Sequence, residues 1–428
     1  MKNRKTLTLN ANHLLCICLL FGLFSADFFG KVYKPLIYGI PGRIIHFFYL
    51  ISTLVLVVMA LSGHSQQWRL RRRWAGQYFR WQILLPLAVL VTAPLYSLWS
   101  KPIAQFGMSY WSRWLSEFLF RGCMLVSAWC LFVILGEKTM DLLTKTLLII
   151  SGSLLVLAVF RFGPGQVLRV QLVVVKLLPE SRASQFLETN HISFTLGICY
   201  LYSYFQGEKT LSARGIRLLS LVFLFLAGKR IGLFAILFSL LLGFLVKKRG
   251  LSKKLVVTVG ICGMVLCLIY LDEIYNNSLI SLLNEHNISW SGRDAVFPYF
   301  TRRSRFAPAF LGWGQGATSK MLENMSYNEV GNMVVFRGLH NDILKRYLDW
   351  GFAGFLGWAW YNLLFLPKKV FHMYGKKPAT LYLLLLTYSF ITYLTDNTEG
   401  YFVFQVALMG AALVYAYSQE RPRITGGE

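Results

Sequence analysis

The sequence predicts an all-α fold, a polytopic membrane bundle of about 12 transmembrane helices with one large periplasmic loop. Three observations lead there. The 428 residues are 55% hydrophobic and only 15% charged. Apolar runs long enough to cross a hydrocarbon core recur along the whole chain. The Lys and Arg behind the formal charge of +25 lie in short clusters between those runs. Such clusters mark cytoplasmic loops, so the charge does not point to nucleic acid.

The expected spans are 12–30, 44–61, 79–99, 115–135, 142–162, 190–206, 215–227, 230–246, 255–271, 341–366, 379–395 and 401–418. The first leads into further spans and not into a small-residue cleavage site, so it is expected to be an anchor. The run 215–227 is short for a full crossing. Orientation follows from the loops. With the N-terminus inside, 1–11, 62–80, 136–145, 207–217, 247–254, 367–378 and 419–428 carry 24 Lys and Arg, and the short outer connections carry 7. Both termini are then cytoplasmic. The seven Cys all lie in apolar runs, with no pairing or His cluster that suggests a metal or a disulfide framework.

Two outer segments are longer. In 163–189, Arg169 and Lys176 are seven apart and share a helix face above apolar neighbours, which fits a helix lying at the membrane interface. The segment 272–340 is the largest soluble part, and loops of that length are usually functional or disordered. Its Trp290, Phe297, Tyr299, Phe300, Phe306, Phe310 and Trp313 argue for order.

Chemistry-bearing residues gather at the outer ends. Ser291-Gly-Arg293 and Arg302-Arg-Ser-Arg305 form a local basic patch, although the whole loop balances six basic with six acidic residues. Arginine forks suit phosphate oxygens; for Arg302 and Arg303 a solvated face is the plainer reading. Gly312-Trp-Gly-Gln-Gly316 is a flexible turn whose backbone could approach a ligand. Gly228-Lys-Arg230 places two cations on the outer side, against the usual bias; a phosphate partner or snorkelling would explain them. Midplane carboxylates are scarce, and Glu117 is i,i+4 from Arg121, a structural pair.

His340-Asn341-Asp342 opens the apolar run that reaches Leu366. Asn341 suits an N-cap, and Asp342–Arg346 and Lys345–Asp349 are i,i+4 pairs. An ordinary cap is the bland alternative. A free imidazole titrates near about pH 6.5, so a histidine here suits proton transfer. It could equally bind an acceptor. Asp342 could orient the ring or favour its charged form.

In their order, these pieces resemble the bacterial O-antigen ligase and Wzy-type polysaccharide polymerase family. The matching elements are Gly228-Lys-Arg-Ile-Gly232, Ser291-Gly-Arg293, Leu311-Gly-Trp-Gly314, His340-Asn-Asp-Ile-Leu344 and Gly351-Phe-Ala-Gly354, with Asn190 heading an earlier span. Lys229 departs from the small hydroxyl residue more usual there. The resemblance covers roughly 190–410 and implies a GT-C type glycosyltransferase of the bacterial inner membrane, with neither metal nor cofactor. The implied donor is an undecaprenyl-diphosphate-linked glycan. The implied acceptor is another repeat unit (polymerase, the favoured reading) or the lipid A core (ligase). A chain-length regulator protein is a further implied partner. Arg230 and Arg293, with Arg169 or Arg305, would hold the diphosphate, and His340 would act as base. Lys229, Asn341, Asp342, Asn190 and Arg337 would support them. A lipid-linked glycan flippase is the alternative of a different class, but it should show paired half-sequences or broken helices at matching positions, and neither is visible.

Overall fold

The computed structural model describes residues 13–22, 41–175, 177–179, 181–208, 210–278, 281, 285, 293–324 and 339–425. Regular structure among them is entirely helical; of the expected span 12–30 only 13–22 is described. By length and composition, Gln66–Tyr96, Met108–Phe162, Arg230–Lys248, Lys253–Tyr275 and Phe402–Glu420 can cross a membrane. The expected spans 44–61 and 379–395 lie on the helices Pro41–Ser62 and Lys376–Tyr393.

The chain divides into two compact units. The first comprises Met1–Phe79, Cys123–Ile236 and Phe402–Glu428. Its centre is the Asn190–Gln206 helix, where Ile192, Phe194, Leu196 and Ile198 have no exposed surface. This helix packs against Leu211–Leu226 and Phe402–Thr425. Thr210 caps the former by accepting from the Ala213 N–H. The basic run at 69–73 is more than a solvated loop. Arg71 Nη1 donates to the Ile134 carbonyl at 2.9 Å, and Arg72 Nε to the Ala60 carbonyl at 3.0 Å. Both arginines thus satisfy carbonyls left open at the C-terminal ends of apolar helices. Within 163–189, Pro164–Val174 is helical, with Val167 and Val170 buried and Arg169 exposed. Lys176 lies outside the described residues.

The second unit comprises Arg80–Gly122 and Leu237–Tyr401. Here the expected continuous span 341–366 requires correction. The Asp342–Trp360 helix breaks at Gly351 (φ 71°, ψ −175°), and a π-helical turn follows over Tyr361–Phe365. The expected inner loop after it is helical over Leu366–Tyr374.

A helix break leaves backbone groups that must be satisfied inside a membrane protein. The glycine turn of the large loop satisfies them. Trp313 N–H donates to the Leu348 carbonyl at 2.9 Å and Gly314 N–H to the Asp349 carbonyl at 2.7 Å. On the far side of the break, Phe352 N–H donates to the Phe310 carbonyl at 2.8 Å. The fit is close. A Cβ on Gly312 would stand 2.3 Å from the Gly351 nitrogen, and a Cβ on Gly351 would stand 2.3 Å from the Leu311 carbonyl carbon. The turn Gly312–Gly316 is therefore not a flexible approach for a ligand; its glycines let two backbones interlock. In the described part of this loop Phe297 and Phe300 are fully buried. Trp290 lies outside the described residues.

Candidate functional site

His340 stands just before the broken helix with φ 49°, uncommon for a residue with a side chain. The next residue is extended, and Asn341 caps the helix by accepting from the Leu344 N–H at 2.9 Å. Asn341 Nδ2 donates to the Tyr270 hydroxyl at 2.8 Å, and that hydroxyl donates to the Leu394 carbonyl at 2.6 Å. The cap is thus fixed to two neighbouring segments, which holds the unusual turn at His340.

His340 Nδ1 lies 3.4 Å from Asp396 Oδ1. The same oxygen accepts from the Tyr401 hydroxyl at 2.5 Å and from the Asn397 N–H at 2.8 Å. The Asp396 side chain is 8% exposed and that of His340 is 39% exposed. With the proton on Nδ1, aimed at Asp396, the lone pair of Nε2 is left for a ligand. The 3.4 Å separation is long, as such contacts often are before substrate is bound.

Asp342 does not orient the ring. It is buried and accepts from the Glu399 N–H at 2.7 Å. Nor does it pair with Arg346 as the i,i+4 spacing suggests: Arg346 Nε donates to Glu399 and its Nη1 to Gln315 Oε1 at 2.8 Å. Glu399 also takes Arg121 at 3.1 Å. Arg121 is therefore not the partner of Glu117, which instead binds Arg113 and Lys345, both at 3.3 Å. Lys345–Asp349 forms as expected, at 3.2 Å. Asp349 also accepts from Thr318 and Gly316 in the large loop. These buried charges tie the first half of the broken helix to the loop and to the Thr398–Gly400 turn, two residues beyond Asp396.

The arginines divide between the units. In the second unit Arg305 is exposed, and its carbonyl accepts from the Tyr347 hydroxyl. Arg302 is exposed too, and Arg303 lies 3.7 Å over the Tyr299 ring, the solvated face expected of them. Arg293 begins the Arg293–Thr301 helix; its side chain and all of Arg337 lie outside the described residues. In the first unit Arg230 is exposed at the start of Arg230–Arg249. Lys229 is buried and pairs with Glu188 at 2.7 Å, its ammonium 5.6 Å from the Phe194 ring centre. So a carboxylate, not a phosphate, accounts for Lys229. The pair brings the Gly228-Lys-Arg230 turn to the start of the Asn190–Gln206 helix, where Asn190 Oδ1 is buried without a hydrogen-bond partner among the described residues.

Asp396, Tyr401, Glu399 and Gln315 escaped the sequence reading. A signal existed: Asp396 and Glu399 are the sole acids between Lys376 and Ser418, in an otherwise apolar stretch.

The geometry defines a helical membrane protein with a His–Asp pair at the mouth of an interrupted helix. A family model described as O-antigen ligase matches residues 216–359. Residues 216–359 are thus similar to the O-antigen ligase family. They include the Gly228, Gly312, His340 and Gly351 motifs, and leave Asn190 and Asp396 outside. No curated protein matches the chain.

Proposed function

We propose that the protein is a glycosyltransferase joining undecaprenyl-diphosphate-linked repeat units into a surface polysaccharide at the outer leaflet. The observation that carries this reading is His340 backed by Asp396 within 3.4 Å, beside a segment matched to the O-antigen ligase family. The acceptor hydroxyl attacks the anomeric carbon of the donor sugar. Its proton passes to Nε2 of His340 while the bond from that carbon to the diphosphate oxygen breaks. The lipid diphosphate departs with the electron pair. Arg230 and Arg293, with Arg169 or Arg305, meet the charge that builds on it. In this reading Lys229 and Glu188 set the turn that presents Arg230.

The orientation proposed with it places 163–189 and 272–340 in the periplasm and both termini in the cytoplasm of a bacterial inner membrane. Transfer to the lipid A core is the second reading, of the kind the matched family's description names. Purified protein given synthetic lipid-linked repeat units separates these readings. Chain growth without lipid A supports the polymerase; transfer onto lipid A core alone supports the ligase. Lipid movement across vesicles without either would replace both with a flippase.

A further inference from the structure

A groove of about 440 Å³ lies in the first unit, far along the Asn190–Gln206 helix from its start. Tyr200, Tyr204, Arg214, Arg217, Leu218 and Glu208 line it. We propose that it is a binding site for a phospholipid with an amino headgroup, of the phosphatidylethanolamine type. This proposal is independent of the glycosyl-transfer reading.

Arg217 is already fixed. Its Nη1 donates to the Ser203 carbonyl and its Nη2 to the Glu208 carbonyl, both at 3.1 Å. Among the described residues the rest of its five N–H groups are left for a ligand. Arg214, one turn earlier, is exposed and forms no ion pair among the described residues. Two guanidinium groups three residues apart share a helix face and suit one phosphodiester. Glu208, also at the groove, supplies the opposite charge for an ammonium. That combination fits a zwitterionic headgroup better than a purely anionic one.

The apolar half of the ligand has a surface as well. Leu218, one turn beyond Arg214, is 63% exposed and lines the groove together with Leu221. Tyr200 and Tyr204 stack with ring centres 6.3 Å apart and form the other wall. Charge at one end and an exposed apolar strip at the other match a lipid standing at a membrane border. In the proposed orientation this is the cytoplasmic leaflet.

Native mass spectrometry of the delipidated full chain, with phosphatidylethanolamine or phosphatidylglycerol added back, tests the site. The wild type should favour the ethanolamine lipid. Arg214→Gln with Arg217→Gln should weaken its binding at least about tenfold, as expected from losing charged hydrogen bonds. Glu208→Gln should erase the preference, and Lys101→Gln, an exposed cation elsewhere, should change nothing. Arg214→Gln alone serves if the double variant does not fold, since the Arg214 side chain takes no part in the hydrogen bonds that fix Arg217; it should weaken binding by severalfold. Unchanged lipid binding in a folded arginine variant overturns the site. Equal binding of soluble glycerophosphoethanolamine overturns the lipid assignment, and a preference untouched by Glu208→Gln overturns the headgroup.

Discussion

At the scale of single residues, the proposed chemistry rests on His340 and on the groups behind it. General-base help is worth about 10²- to 10⁴-fold, so His340→Ala should nearly abolish transfer while donor binding persists. Asp396 meets the ring at Nδ1, at 3.4 Å, and not at the nitrogen proposed to take the proton. Asp396→Asn should keep the turn and lose the tautomer preference, lowering kcat by about 10²-fold or more with little change in KM. Single-turnover rates on the purified variants, with donor binding measured separately, check both. Equal kcat in Asp396→Asn would remove the aspartate from the mechanism. The arginine proposal is read in the same assay. Arg293→Lys should still impair transfer, because a point charge cannot reproduce a bidentate fork. Loss of a contact in Arg230→Ala should cost on the order of 2–4 kcal/mol in the transition state. Normal glycan length and amount in Arg230→Ala and Arg293→Ala, at normal expression, would end the clamp.

At the scale of elements, the break at Gly351 and the turn at Gly312 are one device. Gly351→Ala meets backbone at 2.3 Å and a φ of +71°. Strain and overpacking together should destabilise the protein by at least about 3 kcal/mol. Gly357 lies in the second half of the same helix, and a Cβ added there would meet nothing within 4 Å. Gly357→Ala should therefore be neutral, or more stable by up to about 1 kcal/mol. Thermal unfolding of the two variants in detergent makes the comparison, and similar midpoints would contradict the interlock. The buried charges behave differently. Glu399 serves both Arg346 and Arg121. Glu399→Gln leaves a buried guanidinium without its counter-charge and should cost about 3–5 kcal/mol. Its effect should appear in the same unfolding assay, together with a loosened Thr398–Gly400 turn.

Legibility in the sequence followed the range of the interaction. Helices were plain because their signal is local: apolar runs, Asn341 as a cap, and cationic punctuation. The glycine and histidine motifs were visible as well, but not what they touch. Gly312 and Gly351 lie far apart along the chain, and nothing in either motif says that one backbone lies against the other. Spacing on one helix misled where a distant partner was better placed. Asp342–Arg346 and Glu117–Arg121 both satisfy the i,i+4 rule, yet Glu399 takes both arginines. Asp396 was missed for the same reason, since its partner is 56 residues away.

At the scale of the whole molecule, everything proposed for the chemistry depends on which side each loop faces. The basis is electrostatic: 24 Lys and Arg on one set of loops and tails against 7 on the short connections of the other set. Capping does not weaken it, because Arg71 and Arg72 keep their charge while they bind helix carbonyls. It does change the choice of probe. A cysteine at 71 would remove a cap, whereas Gln67 is exposed on the same helix. In a Cys-free background, Gln67→Cys should stay unlabelled by an impermeant maleimide in intact spheroplasts and react after lysis. Arg302→Cys, exposed in the large loop, should react in both. The background is expected to be tolerated at Cys18 and Cys262, which are exposed, and to need volume-matched replacements at the buried Cys16, Cys123, Cys130, Cys199 and Cys267. Labelling of Gln67→Cys from outside, with Arg302→Cys protected, would invert the orientation. His340 would then face the cytoplasm, away from a periplasmic acceptor, and the proposed transfer reaction would fall with it.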